Sequence, residues 1–117
     1  MRGRVGASFR CIRRSGRRAL LVELRKNGLA ADTEKEVAIY YEGFEVGRHQ
    51  LDIVVERQLI IELKTVEALG KAHYAQVRSY LKASQLAAAL LVNFAGPRAD
   101  FRRITFPHSP PFSHSLL

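Results

Sequence analysis

The stretch VGRHQLDIVVERQLIIELKTVE (46–67) constrains the fold more than any other part of the chain. Two apolar runs, 51–55 and 59–63, are rich in β-branched residues and flank Glu56-Arg57-Gln58. Such runs around a short polar break predict a tight antiparallel hairpin. The break lacks the Asn-Gly or Asp-Gly pair of the commonest two-residue turns, so turn chemistry fixes the register only to within about one residue. With the turn centred on Arg57, Asp52 faces Glu62 across the ladder. The two-residue period of a strand then places Asp52, Ile60, Glu62 and Lys64 on one face and Leu51, Ile53, Ile61 and Leu63 on the other. Facing carboxylates repel, which destabilises a purely structural sheet. A shared divalent cation removes the objection, because Mg²⁺ is commonly held by one or two carboxylates together with substrate phosphate. Lys64, two residues along the same face, is suited to stabilise charge developing on a phosphate. Asp-x9-Glu-x-Lys alone is a weak pattern, and a solvated strand face with an ordinary ion pair also produces it. The surrounding sequence has to decide.

A chain of 117 residues makes one domain with a modest core. Its longest wholly apolar run, 86–92, is too short to span a bilayer. The arginine-rich start has no apolar stretch after it, so no secretory signal is expected. A single cysteine, Cys11, excludes an internal disulfide and points to a reducing, cytoplasmic setting. The four histidines, His49, His73, His108 and His114, lack zinc-finger spacing. The net charge of +8 is unevenly placed: residues 1–18 carry seven arginines and no acid, while the other 99 carry twelve basic and eleven acidic residues. The basic part suits phosphate backbones without sequence preference, and the nearly neutral body needs a separate explanation.

Along the chain, residues 1–18 show no helical or strand period and are expected to be a basic, poorly ordered segment. An amphipathic helix is expected from about Arg17 to Asn27, closed by Gly28. A polar linker leads to a strand over 37–41, a turn at Glu42-Gly43, a long second strand over 44–55 and a third over 58–66. Gly47 suggests a bulge or bend in the second strand. A second helix is expected over about 70–83, with Val77, Leu81 and Tyr74 toward the core and His73, Gln76 and Tyr80 on a separate face. Residues 86–94 read as a strand buried on both faces, and 101–106 as a short edge strand. The Pro/Ser-rich tail 107–117 is expected to lack fixed structure. The order predicts an α+β fold with a mixed sheet flanked by helices. The strand after the second helix can lie parallel to a neighbour.

The segments ALLVELRKNGL (19–29), YYEGFEVGRHQLDIVVE (40–56), LIIELKTVEAL (59–69), HYAQVRSYLKAS (73–84) and LLVNF (90–94), in this order, resemble the small bacterial GxxExxR proteins of the PD-(D/E)XK nuclease superfamily. The resemblance covers about 19–106 and implies a restriction-endonuclease-like αβββαβ core. It implies a nuclease acting on DNA or RNA with Mg²⁺ or Mn²⁺, metal-binding acids at Asp52 and Glu62, a catalytic lysine at Lys64 and a supporting amide at Gln76, with His73 and Tyr80 nearby. The family's first-helix glutamate and the aromatic after it fall here on Arg13 and Gly16. A guanidinium does not bind Mg²⁺, so an impaired nuclease and a non-catalytic nucleic-acid-binding or protein-interaction module on the same fold stay open. The abrupt change near Ala19 leads to a further expectation: residues 1–18 come from a shifted reading frame or misassigned start.

Overall fold

The computed structural model describes residues 9–107, with side chains from Ser15 onward. Helix α1 spans Phe9–Lys26 and helix α2 Lys71–Ser84. The strands are β1 (Ala31–Asp32), β2 (Glu36–Tyr41), β3 (Phe44–Gln50), β4 (Ile53–Val55), β5 (Leu59–Lys64), β6 (Ala88–Asn93) and β7 (Asp100–Thr105). Five of them form one mixed sheet in the order β1-β4-β5-β6-β7, and β2 and β3 form a separate two-stranded ribbon. β5 and β6 are parallel, as the helical crossover through α2 requires; the other neighbours are antiparallel. The fold is the expected mixed α+β arrangement, a five-stranded mixed sheet flanked by helices.

Both faces of the sheet are covered. On one, Val54, Ile60, Ala89, Leu91 and Ile104 pack with Val77, Tyr80 and Leu81 of α2. On the other, Ile53, Val55, Ile61, Leu63 and Val92 receive Leu20, Leu21 and Leu24 of α1. This two-sided burial is why the central strands read as nearly continuous apolar runs rather than clean alternations.

Helix α1 corrects the expectation for the N-terminal segment: it begins at Phe9, not near Arg17, so 9–18 are helical. Arginine, at five of these ten positions, is a strong helix former, and its propensity outweighs Gly16 inside the helix. Gly16 has a packing reason, since a Cβ there would lie 3.0 Å from Cε2 of Phe94. The C-terminus closes as expected. Gly28 adopts φ +79°, its N–H donates to the Arg25 carbonyl at 3.0 Å, and the Leu29 N–H donates to the Leu24 carbonyl at 3.0 Å. Five of the seven arginines counted at the N-terminus therefore belong to a helix. The tail beyond Pro107 lies outside the described residues.

The long second strand is also corrected. It breaks at Leu51-Asp52, and its halves join different sheets, β3 pairing with β2 and β4 with β5. The β2–β3 register shifts between Ile39 (opposite Gly47) and Tyr40 (opposite Glu45), leaving Val46 as the extra residue beside the expected Gly47. Because of the break, Leu51 enters the α2-side core rather than sharing a face with Ile53. The β4–β5 turn places both Glu56 and Arg57 at positive φ, 54° and 56°, a conformation that costs a non-glycine residue about 1–3 kcal/mol. Glu56 is clamped from outside: its N–H donates to the Ala30 carbonyl at 2.8 Å, and its Oε2 accepts from the Ala30 N–H at 2.6 Å.

Candidate active site

The β4–β5 ladder pairs Ile53 with Ile61, Val54 with Ile60 and Val55 with Leu59, and just beyond it Asp52 hydrogen-bonds Glu62. This is the expected register. Both acids are buried, Glu62 at 1% and Asp52 at 7% exposure. They are joined reciprocally through the backbone. The Asp52 N–H donates to Glu62 Oε2 at 3.0 Å, and the Leu63 N–H donates to Asp52 Oδ2 at 2.8 Å. Such bonds from backbone N–H groups fix the orientation of both carboxylates. Half-buried Lys64, the last residue of β5, donates from Nζ to Gln76 Oε1 of α2 at 2.7 Å. Asp52, Glu62, Lys64 and Gln76 are thus brought to one place between the β4–β5 hairpin and α2.

The expected polar face of α2 divides into three tasks. Gln76 holds Lys64. His73 serves its own helix, Nδ1 accepting from the Gly70 N–H at 2.8 Å in the first turn. Tyr80 turns inward, 4% exposed, and packs with the core. Burial pushes its hydroxyl up to about 12, the charges of Glu62 and then Asp52 add to the rise, and a hydrogen bond with Gln76 opposes it. Beyond Lys64 the chain is held by Asn93, whose Oδ1 accepts from Val66 N–H at 3.0 Å and whose Nδ2 donates to the Val66 carbonyl at 2.8 Å. Buried Asn93 fixes the strand end that presents Lys64.

One neighbour was not foreseen. His49, near the end of β3, stacks on Tyr80 with ring centroids 4.1 Å apart and planes 7° apart. Its Nε2 stands 3.6 Å from Glu62 Oε1. In an unbroken strand, residues 49 and 52 point to opposite faces. The break at Leu51-Asp52 brings both to the α2 side, and the residue pattern gave no sign of it.

The donor set fits a hard divalent cation. Asp52 and Glu62 offer carboxylate oxygens in a buried setting, the ligand type Mg²⁺ and Mn²⁺ take. Among the described residues no group of three or more His, Cys, Asp or Glu side chains is arranged to hold a metal.

The arrangement is a strand hairpin carrying paired acids and a lysine, braced by a helix that supplies a glutamine. The sequence model of the PD-(D/E)XK nuclease superfamily matches residues 13–104, and the chain belongs to that superfamily. The match begins before Ala19, within α1. Among solved structures, SSO0001 is similar over 79% of this chain and 48% of its own, at 24% identity and a TM-score of 0.61. An alkaline exonuclease from Laribacter hongkongensis is similar over 75% of this chain and 53% of its own, at 13% identity and a TM-score of 0.55. The chain spans about half the length of either, and at these identities the likeness is one of fold. No curated protein matches the chain.

Proposed function

We propose that this chain is a metal-dependent nuclease of the GxxExxR type, hydrolysing phosphodiester bonds of DNA or RNA. The observation that carries the reading is the buried Asp52–Glu62 pair, oriented by reciprocal backbone hydrogen bonds beside Lys64. Superfamily membership supports it, since PD-(D/E)XK nucleases generally use divalent ions, and so does the exonuclease neighbour. Asp52 and Glu62 would hold Mg²⁺ or Mn²⁺ through carboxylate oxygens. The bound cation supplies charge neutralisation and Lewis-acid polarisation at the phosphate. Lys64, held by Gln76, presents an ammonium to the charge that builds on the phosphoryl oxygens as water adds and the ester oxygen leaves. Gln76 keeps that ammonium in reach and links it to Tyr80. The proposed catalytic residues are Asp52, Glu62, Lys64 and Gln76, with Asp52 and Glu62 as metal ligands.

A second reading, a nucleic-acid-binding or protein-interaction module without catalysis, is favoured by one feature. Helix α1 carries no acid before Glu23, and Arg13 occupies the family's glutamate position. A cleavage assay on a mixed panel of DNA and RNA substrates separates the two. The nuclease reading predicts cleavage that needs Mg²⁺ or Mn²⁺ and disappears in Asp52→Ala. Nucleic-acid binding without cleavage in either ion would establish the module instead.

A further inference from the structure

The structure places one more polar side chain against the proposed acids, and it comes from outside the five-stranded sheet. His49 lies on β3 of the separate ribbon, opposite Val37, which is itself buried in the α2-side core. The base of the ribbon is therefore fixed, while its far end, with Tyr40, Tyr41 and Phe44, is exposed. From that fixed base the imidazole reaches Glu62. Its plane is set by the stack on Tyr80, and its Nε2 faces Oε1, whereas the Asp52 N–H holds Oε2. The two oxygens of Glu62 are thus addressed from two different segments. A carboxylate gripped at one oxygen can still swing about that contact; a second group at the other oxygen limits the swing.

We propose that His49 is a positioning residue for the cation site: held by its stack on Tyr80, it fixes the orientation of the Glu62 carboxylate through Nε2. The proposal rests on the reading of Asp52 and Glu62 as the acids that hold the cation, and adds to it a residue of the ribbon. Outer partners that orient a ligating carboxylate characteristically change metal affinity by about 10- to 100-fold when removed. His49 meets that description by geometry, acting on Glu62 rather than on the ion. It also makes the ribbon part of the site, because moving β3 moves the group that orients Glu62.

The test is calorimetric titration of the whole chain with Mn²⁺ alone, with the thermal midpoint of each metal-free variant measured alongside. His49→Phe keeps a flat ring for Tyr80 and loses the nitrogen; it is expected to bind Mn²⁺ about tenfold more weakly at a nearly unchanged midpoint. His49→Gln, whose amide nitrogen reaches a similar place, is expected to recover most of that loss. Unchanged Mn²⁺ affinity in His49→Phe overturns the role of His49, and so does equal weakening in the Phe and Gln variants. If the unaltered chain binds no Mn²⁺, or Asp52→Ala binds it equally well, the reading of the acids falls and the proposal with it, a result distinct from a normal Asp52 effect with an inert His49. A second measurement avoids variants altogether. On titrating Mg²⁺ into the unaltered chain, the His49 side-chain NMR resonances should shift and saturate together with the calorimetric isotherm; His49 resonances that stay fixed through saturation contradict the proposal.

Discussion

Two antiparallel hairpins follow each other in this chain, and they are built on opposite terms. In β4–β5 every residue of Ile53–Val55 is buried, and Ile60 and Leu63 are wholly inaccessible. In β2–β3, Tyr41 and Phe44 are 66% and 75% exposed, and β3 buries no residue fully. The first hairpin lies between two helices; the second, among the described residues, packs against α2, through β2 and through His49 of β3. The difference shows where precision is needed. Asp52 and Glu62 are carried by the hairpin that packing holds from both faces, which is how a carboxylate pair is kept in place. The ribbon meets the α2-side core through Val37, Ile39 and His49, while its far end is exposed.

The comparison is broken most strongly by truncating the core. Leu81→Ala, in α2 at zero exposure, is expected to cost about 2–5 kcal/mol in urea unfolding, whereas Phe44→Ala on the ribbon should stay within about 0.5 kcal/mol. Similar losses would mean that the ribbon is packed against something and that the contrast is false. Next in size is Gly16→Val, which pushes a branched side chain toward the Phe94 ring on the α1 side. It should cost about 1–3 kcal/mol by the same measurement.

Tyr80 joins the two regions and gives a pH test. Its folded hydroxyl is raised from the ordinary 10.0 to about 12, so the folded state holds that proton more tightly than the unfolded chain. The associated stability is fully present below pH 10 and is lost as pH rises to about 12, with a slope of at most about 1.4 kcal/mol per pH unit. Tyr80→Phe should flatten that part of the pH–stability curve. The smallest effect belongs to exposed Gln76. Gln76→Ala should change stability by less than about 0.5 kcal/mol while lowering cleavage, because it releases Lys64.

The β4–β5 hairpin could be read from sequence because two local signals agreed, β-branched runs and a short polar break. They were enough to put Asp52 opposite Glu62, with Lys64 on the same face. Helix α2, its Val77–Leu81 stripe and the parallel β6 were legible for the same reason: period and length pointed one way. The failures come where a local pattern is neutral and tertiary contacts decide. Nothing in 44–55 announces that the chain changes sheets at Leu51-Asp52, and with that break hidden, the α2-side placement of Leu51 and His49 was hidden too. Residues 9–18 were misread because Gly16 and a surplus of arginine masked the helix. The reason for a glycine there, the approach of Phe94, comes from 78 residues further along the chain.

If the buried Asp52–Glu62 pair holds a cation, folding stability must depend on Mn²⁺. A ligand bound to the folded state alone, present at 100 times its dissociation constant, adds about 2.7 kcal/mol. Urea unfolding of the unaltered chain should show a gain of that order in saturating Mn²⁺. In Asp52→Ala the gain should vanish while the variant remains folded. Equal stability of the unaltered chain with and without Mn²⁺, or an undiminished gain in Asp52→Ala, would contradict the account.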